Sequence, residues 1–121
     1  MLFRSDLMVH SIGDRAIKTV LDAVEGAKAK VRGPFYPRVT VAHLALIDPA
    51  DVDRIEALDV VANFSPWWFG VEDSPVVRNL LGPERYDAMY LARTVFDTGA
   101  RVTFSSDEWW GGDLQIGRAH V

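Results

Sequence analysis

Three hydrophobic runs in this chain each end on a residue able to ligate a metal. They are Leu7-Met8-Val9-His10, Val39-Thr40-Val41-Ala42-His43 and Val102-Thr103-Phe104-Ser105-Ser106-Asp107. An apolar run that stops on His or Asp reads as a buried strand presenting that residue at its C-terminal end, where parallel α/β barrels carry their chemistry. Neutral imidazole and carboxylate suit zinc and related ions, and a hydrolytic site keeps one position open for water. Taken singly, His10 and His43 read more simply as buried or capping histidines, and Asp107 as a turn cap. Taken together they change meaning, because ligands at three strand ends of one parallel sheet share a rim. His10, His43 and Asp107 are therefore the candidate metal ligands, with Asp107 also the candidate catalytic group. Ser105 and Ser106 lack a Gly-x-Ser-x-Gly setting, which argues against a serine nucleophile.

The elements that must position these residues follow from periodicity. Ala16, Ile17, Val20, Leu21 and Val24 form a helical stripe, with Asp14 placed to cap its first turn and Gly33-Pro34 to stop it. A strand over Arg38–Ala42 precedes a second helix, opened by Asp48 as N-cap and Pro49 at its first position and carrying Val52, Ile55 and Leu58. Val60–Phe64 predicts a third strand. Ser65 to Pro83 is aromatic and rich in Pro and Gly, which predicts a long loop. Trp67 and Trp68 within it are candidates for a substrate wall, or for packing beneath the loop. From Glu84 one helix is predicted, with Tyr86, Met89, Tyr90, Arg93 and Phe96 near one face and Gly99 as C-cap; Glu84-Arg85 reads as a solvated charge pair. Arg101–Phe104 is the fourth strand.

The order β-α-β-α-β-α-β demands a parallel sheet with right-handed crossovers. A doubly wound domain would carry a Gly-rich phosphate loop after its first strand, whereas Ser11-Ile12-Gly13-Asp14 offers one glycine and an acid. Strand-end ligands fit a barrel better. A complete (β/α)8 barrel needs about 250 residues, so this α/β chain of 121 residues is expected to be a partial TIM-type barrel.

Bulk composition narrows the partners. With 13 Lys+Arg against 17 Asp+Glu, a net charge of −4 and no basic run, nucleic acid and anionic membranes are not expected partners. No stretch approaches the roughly 20 apolar residues of a membrane span. The absence of cysteine excludes disulfides and thiolate chemistry and fits a reducing compartment. With no visible signal peptide, the cytoplasm is the expected location, although Met1–Asp6 reads as the end of a preceding helix and loop.

The final residues, Gln115 to Val121, show neither periodicity nor turn logic. Back-translated, they can be written as the start of a common short-read sequencing adapter in frame. The expected division is thus a barrel portion over 1–114 and a non-native tail over 115–121, which makes His120 irrelevant to function.

The blocks VHSIGDRA, RVTVAHLALIDPAD, LGPERY and ARVTFSSD resemble, in order, blocks of amidohydrolase family 3, the branch that includes N-substituted formamide deformylase-like enzymes. There they read roughly HAIGDRA, RIEHAQLIDPAD, LGPERY and GARVAFGSD, and the resemblance spans Leu7 to Trp110. It implies a (β/α)8 barrel of which this chain holds strands five to eight. His10 and His43 would then be the strand-five and strand-six metal ligands, and Asp107 the strand-eight catalytic aspartate. The implied activity is hydrolysis of non-peptide C–N bonds in a small amide- or formamide-like substrate by a metal-activated water. One or two divalent ions, zinc foremost, would be the cofactor. The chain departs from the family at Ala42, where an acid is usual, and at Glu108-Trp109-Trp110-Gly111-Gly112, where Trp-Pro is usual. The strand-one His-x-His pair and the strand-four bridging residue do not occur in it. Alternatives are a phosphoester or lactone hydrolase, or a non-enzymatic half barrel that pairs with itself as a homo-oligomer through its open edges.

Overall fold

Each apolar stripe of the sequence is buried on the same side of one sheet. A computed structural model describes residues 5–71 and 75–107. Its order is β1 (Leu7–Ser11), α1 (Asp14–Lys30), β2 (Val39–His43), α2 (Pro49–Ala57), β3 (Val61–Phe64), α3 (Trp68–Val71), α4 (Pro75–Leu81), α5 (Pro83–Asp87), α6 (Ala92–Asp97) and β4 (Val102–Phe104). The four strands form one parallel sheet in sequence order. Ile17, Leu21 and Val24 of α1, Val52 and Ile55 of α2 and Val95 of α6 share one buried core with Val39, Val41, Ala62 and Phe64 of the strands. The alternation of side chains along a strand puts the next residues on the opposite face. There His10, Ala42, Asn63 and Thr103 stand side by side in register.

Asn63 is a buried polar residue on that second face. Its amide donates to Thr103 Oγ1 at 2.9 Å and its carbonyl accepts from Ser105 Oγ at 2.8 Å. Satisfying a buried amide in this way avoids the cost of about 1–3 kcal/mol that an unpaired one incurs. It also gives Ser105 a structural role.

Several local expectations need correction. Gly13, not Asp14, is the N-cap of α1; Asp14 is the first helical residue and its carboxylate accepts from the Arg15 backbone N–H (2.7 Å) and from Arg85 Nη2 (2.5 Å). Arg85 thus pairs across the fold instead of with its neighbour Glu84. The segment from Ser65 to Pro83 is not one long loop, because α3 and α4 lie within it. The single helix expected from Glu84 is two, α5 and α6. They are divided where Met89 bridges to Leu46, Tyr90 adopts φ 56° and Tyr90 N–H donates to Ala45 O at 2.8 Å. Asp48 does cap α2, accepting from Ala50 N–H at 2.9 Å with Pro49 behind it. Gly99, at φ 90°, follows the end of α6 as expected. The tail over 115–121 and Glu108 to Gly112 lie outside the described residues.

Arg54 clamps α2 to α1. Its Nη1 donates to Asp51 at 2.7 Å, and its Nη2 donates to Asp22 at 2.7 Å and Glu25 at 2.9 Å. Hydrogen bonds from Lys18 and Arg54 hold the Asp22 carboxyl below its ordinary 3.8. A depressed carboxyl stabilises the fold above its unfolded pKa and loses that contribution as pH falls through the folded one. The stability gap between wild type and Arg54→Met, read from urea midpoints, should therefore shrink as pH drops below 3.8. Phe64→Ala empties a fully buried position and should cost about 3–5 kcal/mol in the same assay.

Candidate active site

β1 ends with His10 and Ser11, β2 ends with His43, and Asp107 follows β4, so all three candidate ligands sit at the C-terminal edge of the sheet. Register alone would not bring the histidines together. His10 pairs with Ala42, which would send the ring of His43 to the helix-covered face alongside Val41. The backbone prevents this by turning left-handed at His43 (φ 80°) and Leu44 (φ 47°). The His43 ring instead meets that of His10, with centroids 4.7 Å apart and planes tilted by 56°.

The contact is a hydrogen bond between His10 Nδ1 and His43 Nε2 at 2.7 Å. One of these nitrogens carries the shared proton and the other offers its lone pair. The remaining nitrogen of His43, Nδ1, lies 3.6 Å from Asp107 Oδ2. That oxygen also accepts from Trp68 Nε1 at 3.2 Å. The result is a row, His10–His43–Asp107, with the His43 side chain 13% exposed and that of Asp107 36% exposed. Asp107 is itself left-handed at φ 49°.

Among the described residues, no group of three or more His, Cys, Asp or Glu side chains converges on a common metal position. The donor chemistry nevertheless fits a divalent cation. Two imidazole nitrogens on a tetrahedral zinc at about 2.0–2.1 Å would stand roughly 3.3 Å apart. Were the proton of the 2.7 Å contact to move to the other nitrogen of its own ring, both facing lone pairs would be free for a cation. Asp107 faces the other nitrogen of His43, Nδ1, and does not converge with the two histidines on one metal position.

Beside this row is a cavity of about 160 Å3. Ile12, Ala45, Trp68 and Tyr90 give it apolar walls, while His43, Asp107 and Ser65 supply its polar edge. Tyr90 is carried here by the break between α5 and α6, and its ring packs 4.6 Å from that of Phe69. The two tryptophans part company: Trp68 lines the cavity and bonds Asp107, but Trp67 is 59% exposed and does not line it. Ser65 is a site residue the sequence reading missed. It follows the apolar run Val60–Phe64 directly, so the strand-end logic that singled out His10 would also have found it.

A four-stranded parallel sheet with helices on one face and His, His and Asp at its C-terminal rim defines an α/β fold. The amidohydrolase family matches residues 4–115, and the chain belongs to that family. Among solved structures, it is similar to an uncharacterized metal-dependent hydrolase from Pyrococcus furiosus, with 28% identity and a TM-score of 0.65 over 85% of this chain and 20% of that one. An uncharacterized metal-dependent hydrolase from Pyrococcus horikoshii OT3 aligns at 23% identity and TM-score 0.64 over 85% of this chain and 19% of that one, a likeness of fold alone. The chain thus spans about one fifth of the length of these structures. No curated protein matches it.

The Trp68–Asp107 contact is directly observable. In a 1H–15N spectrum, the indole signal that disappears in Trp68→Phe should be the one that moves most in Asp107→Ala. An unmoved indole signal would show that the hydrogen bond does not form.

Proposed function

We propose that this chain supplies strands five to eight of a (β/α)8 barrel in a metal-dependent hydrolase acting on non-peptide C–N bonds, of the amide or N-substituted formamide type. The observation that carries this reading is the row at the sheet edge: two facing imidazole nitrogens 2.7 Å apart with a carboxylate 3.6 Å from the second ring. The Pyrococcus furiosus likeness, a protein described as a metal-dependent hydrolase, supports it. His10 and His43 would hold the ion, for which zinc suits the donors best. When bound, such an ion supplies Lewis acidity and lowers the pKa of water.

The chain's own residues do the rest. Asp107 Oδ2 takes a proton from the attacking water and returns it to the departing nitrogen. Trp68 Nε1 holds that oxygen in place and shields one side of it. The polarised carbonyl of a small substrate would lie between the histidine pair and the apolar cavity. Further ligands are expected from strands one and four of the same barrel, so the 121 residues alone should not hydrolyse amides.

Two measurements test this. Zinc titrated into the chain should bind weakly, and His10→Ala or His43→Ala should each remove the binding. In a protein carrying the whole barrel, Asp107→Asn should lower kcat by about 10²–10⁴-fold, the range of general acid–base catalysis, with metal content kept. Wild-type rates in that variant would remove Asp107 from the chemistry.

A second reading is favoured by one feature. Both outer strands, β1 and β4, lack a further partner among the described residues, and they expose Leu7, Met8 and Phe104. Such edges favour pairing with another copy of the chain, and a monomer in sizing experiments would count against this.

A further inference from the structure

Asn63 is buried in an apolar setting, with Val60, Val61, Ala62 and Phe64 around it in the chain all buried too. An amide in such a strand is tolerated where both of its ends are bonded. Both partners of Asn63 come from one neighbouring segment. Its Nδ2 donates to Thr103 Oγ1 at 2.9 Å, directly across the ladder, and its Oδ1 accepts from Ser105 Oγ at 2.8 Å, on the diagonal. One side chain of β3 thus holds two residues of the segment that leads to Asp107.

That segment has little else to fix it. β4 is three residues long; Val102 packs against the core, but Thr103 and Phe104 are exposed. Strands with few buried side chains specify their register weakly. Among the described residues, the bond from Ser105 N–H to Phe64 O, at 2.9 Å, is the last backbone tie between this segment and the sheet. Two residues later the chain turns left-handed at Asp107, at φ 49°. The carboxylate there has narrow tolerances. Its Oδ2 lies 3.2 Å from Trp68 Nε1 and 3.6 Å from His43 Nδ1, so neither contact survives a further displacement of about 1 Å.

The geometry points to Asn63 as a positioning residue for Asp107: acting through the Ser105 hydroxyl, it sets where the chain leaves β4 and so holds the carboxylate between the Trp68 indole and the His43 ring. The two hydroxyls therefore differ in role. Thr103 lies within β4, where the backbone ladder already fixes it, and its bond serves stability. Ser105 lies past the end of β4, and its bond carries position on to Asp107. The inference rests on the proposed reading of Asp107 as the proton acceptor, since that reading is what makes its placement matter to a reaction.

The test compares the two hydroxyls in the full 121-residue chain, with the Trp68 indole 1H–15N signal as reporter of Asp107. Ser105→Ala should move that signal toward its position in Asp107→Ala, and Ser105→Thr, which keeps the hydroxyl, should return it to the wild-type position. Thr103→Val, an isosteric change that removes the other bond, should lower Tm and leave the indole signal in place. Asn63→Leu removes both bonds, and should lower Tm and move the signal as Ser105→Ala does. In a protein carrying the whole barrel, Ser105→Ala should lower kcat by about 10²-fold, the loss that a misplacement of about 1 Å causes, with KM and metal content kept. An indole signal unmoved in Ser105→Ala, moved equally by Thr103→Val, or not restored by Ser105→Thr would each overturn the proposal. A signal that moves with Ser105→Ala while Asp107→Asn keeps the wild-type rate would overturn the catalytic reading and leave Asn63 as the residue that places Asp107.

Discussion

The chemistry of this rim depends on where β2 stops being a strand. Parallel pairing fixes His10 opposite Ala42 and Ser11 opposite His43, and the two-residue repeat would place the histidine rings on opposite faces of the sheet. Two consecutive left-handed residues, His43 and Leu44, undo that outcome. Neither is glycine, so each costs roughly 1–2 kcal/mol against the ordinary conformation. The turn persists because its surroundings over-determine it. Leu44 N–H donates to Ser11 O at 3.2 Å, Leu46 N–H donates to Ile12 O at 3.0 Å, and Leu44 and Ile47 are buried in the core. Burying those two side chains is worth about 1.5–3 kcal/mol each, enough to offset the strain. The histidine pair is thus a product of core packing just beyond the strand.

The same economy recurs at Asp107, which is also left-handed and is also tied to its surroundings by a side chain, the indole of Trp68. Strained non-glycine backbone concentrates where a fold holds functional groups. Of five such residues in the described chain, His43, Leu44, Tyr90 and Asp107 lie in or against the candidate site; Asp59 lies in the turn before β3. Helix-side packing, by contrast, is ordinary: α1, α2 and α6 bury stripes against the sheet with no unusual conformation in their interiors.

This division explains what the sequence could tell. Periodic burial is written into residue spacing, so the alternation of strand and helix, the Asp48-Pro49 helix start and the Gly99 stop were all legible. The helices α3 and α4 were not. Each is one or two turns long, and Pro66, Pro75, Gly82 and Pro83 punctuate the segment as a loop would, although Pro75 and Pro83 in fact start helices. The identities of His10, His43 and Asp107 as a group were legible from strand ends. Their arrangement as a row was not, since a left-handed histidine has no sequence signal and register would have predicted the opposite. Trp67 and Trp68 were indistinguishable as letters; only the start of α3 at Trp68 turns one indole towards Asp107 and leaves the other in solvent.

The row also constrains what the site could do. His43 is shared: one nitrogen faces His10 and the other faces Asp107. If its Nε2 lone pair is given to a cation, the proton must reside on Nδ1, which is the atom nearest the carboxylate. A ligand histidine that gives its second N–H to a carboxylate is held in one tautomer and one ring orientation. Asp107 would then serve two ends, steadying the ligand and facing the substrate cavity through the same oxygen that Trp68 holds. Metal affinity and proton transfer would then be coupled through a single carboxylate, so a change at Trp68 should reach the histidine pair without touching it.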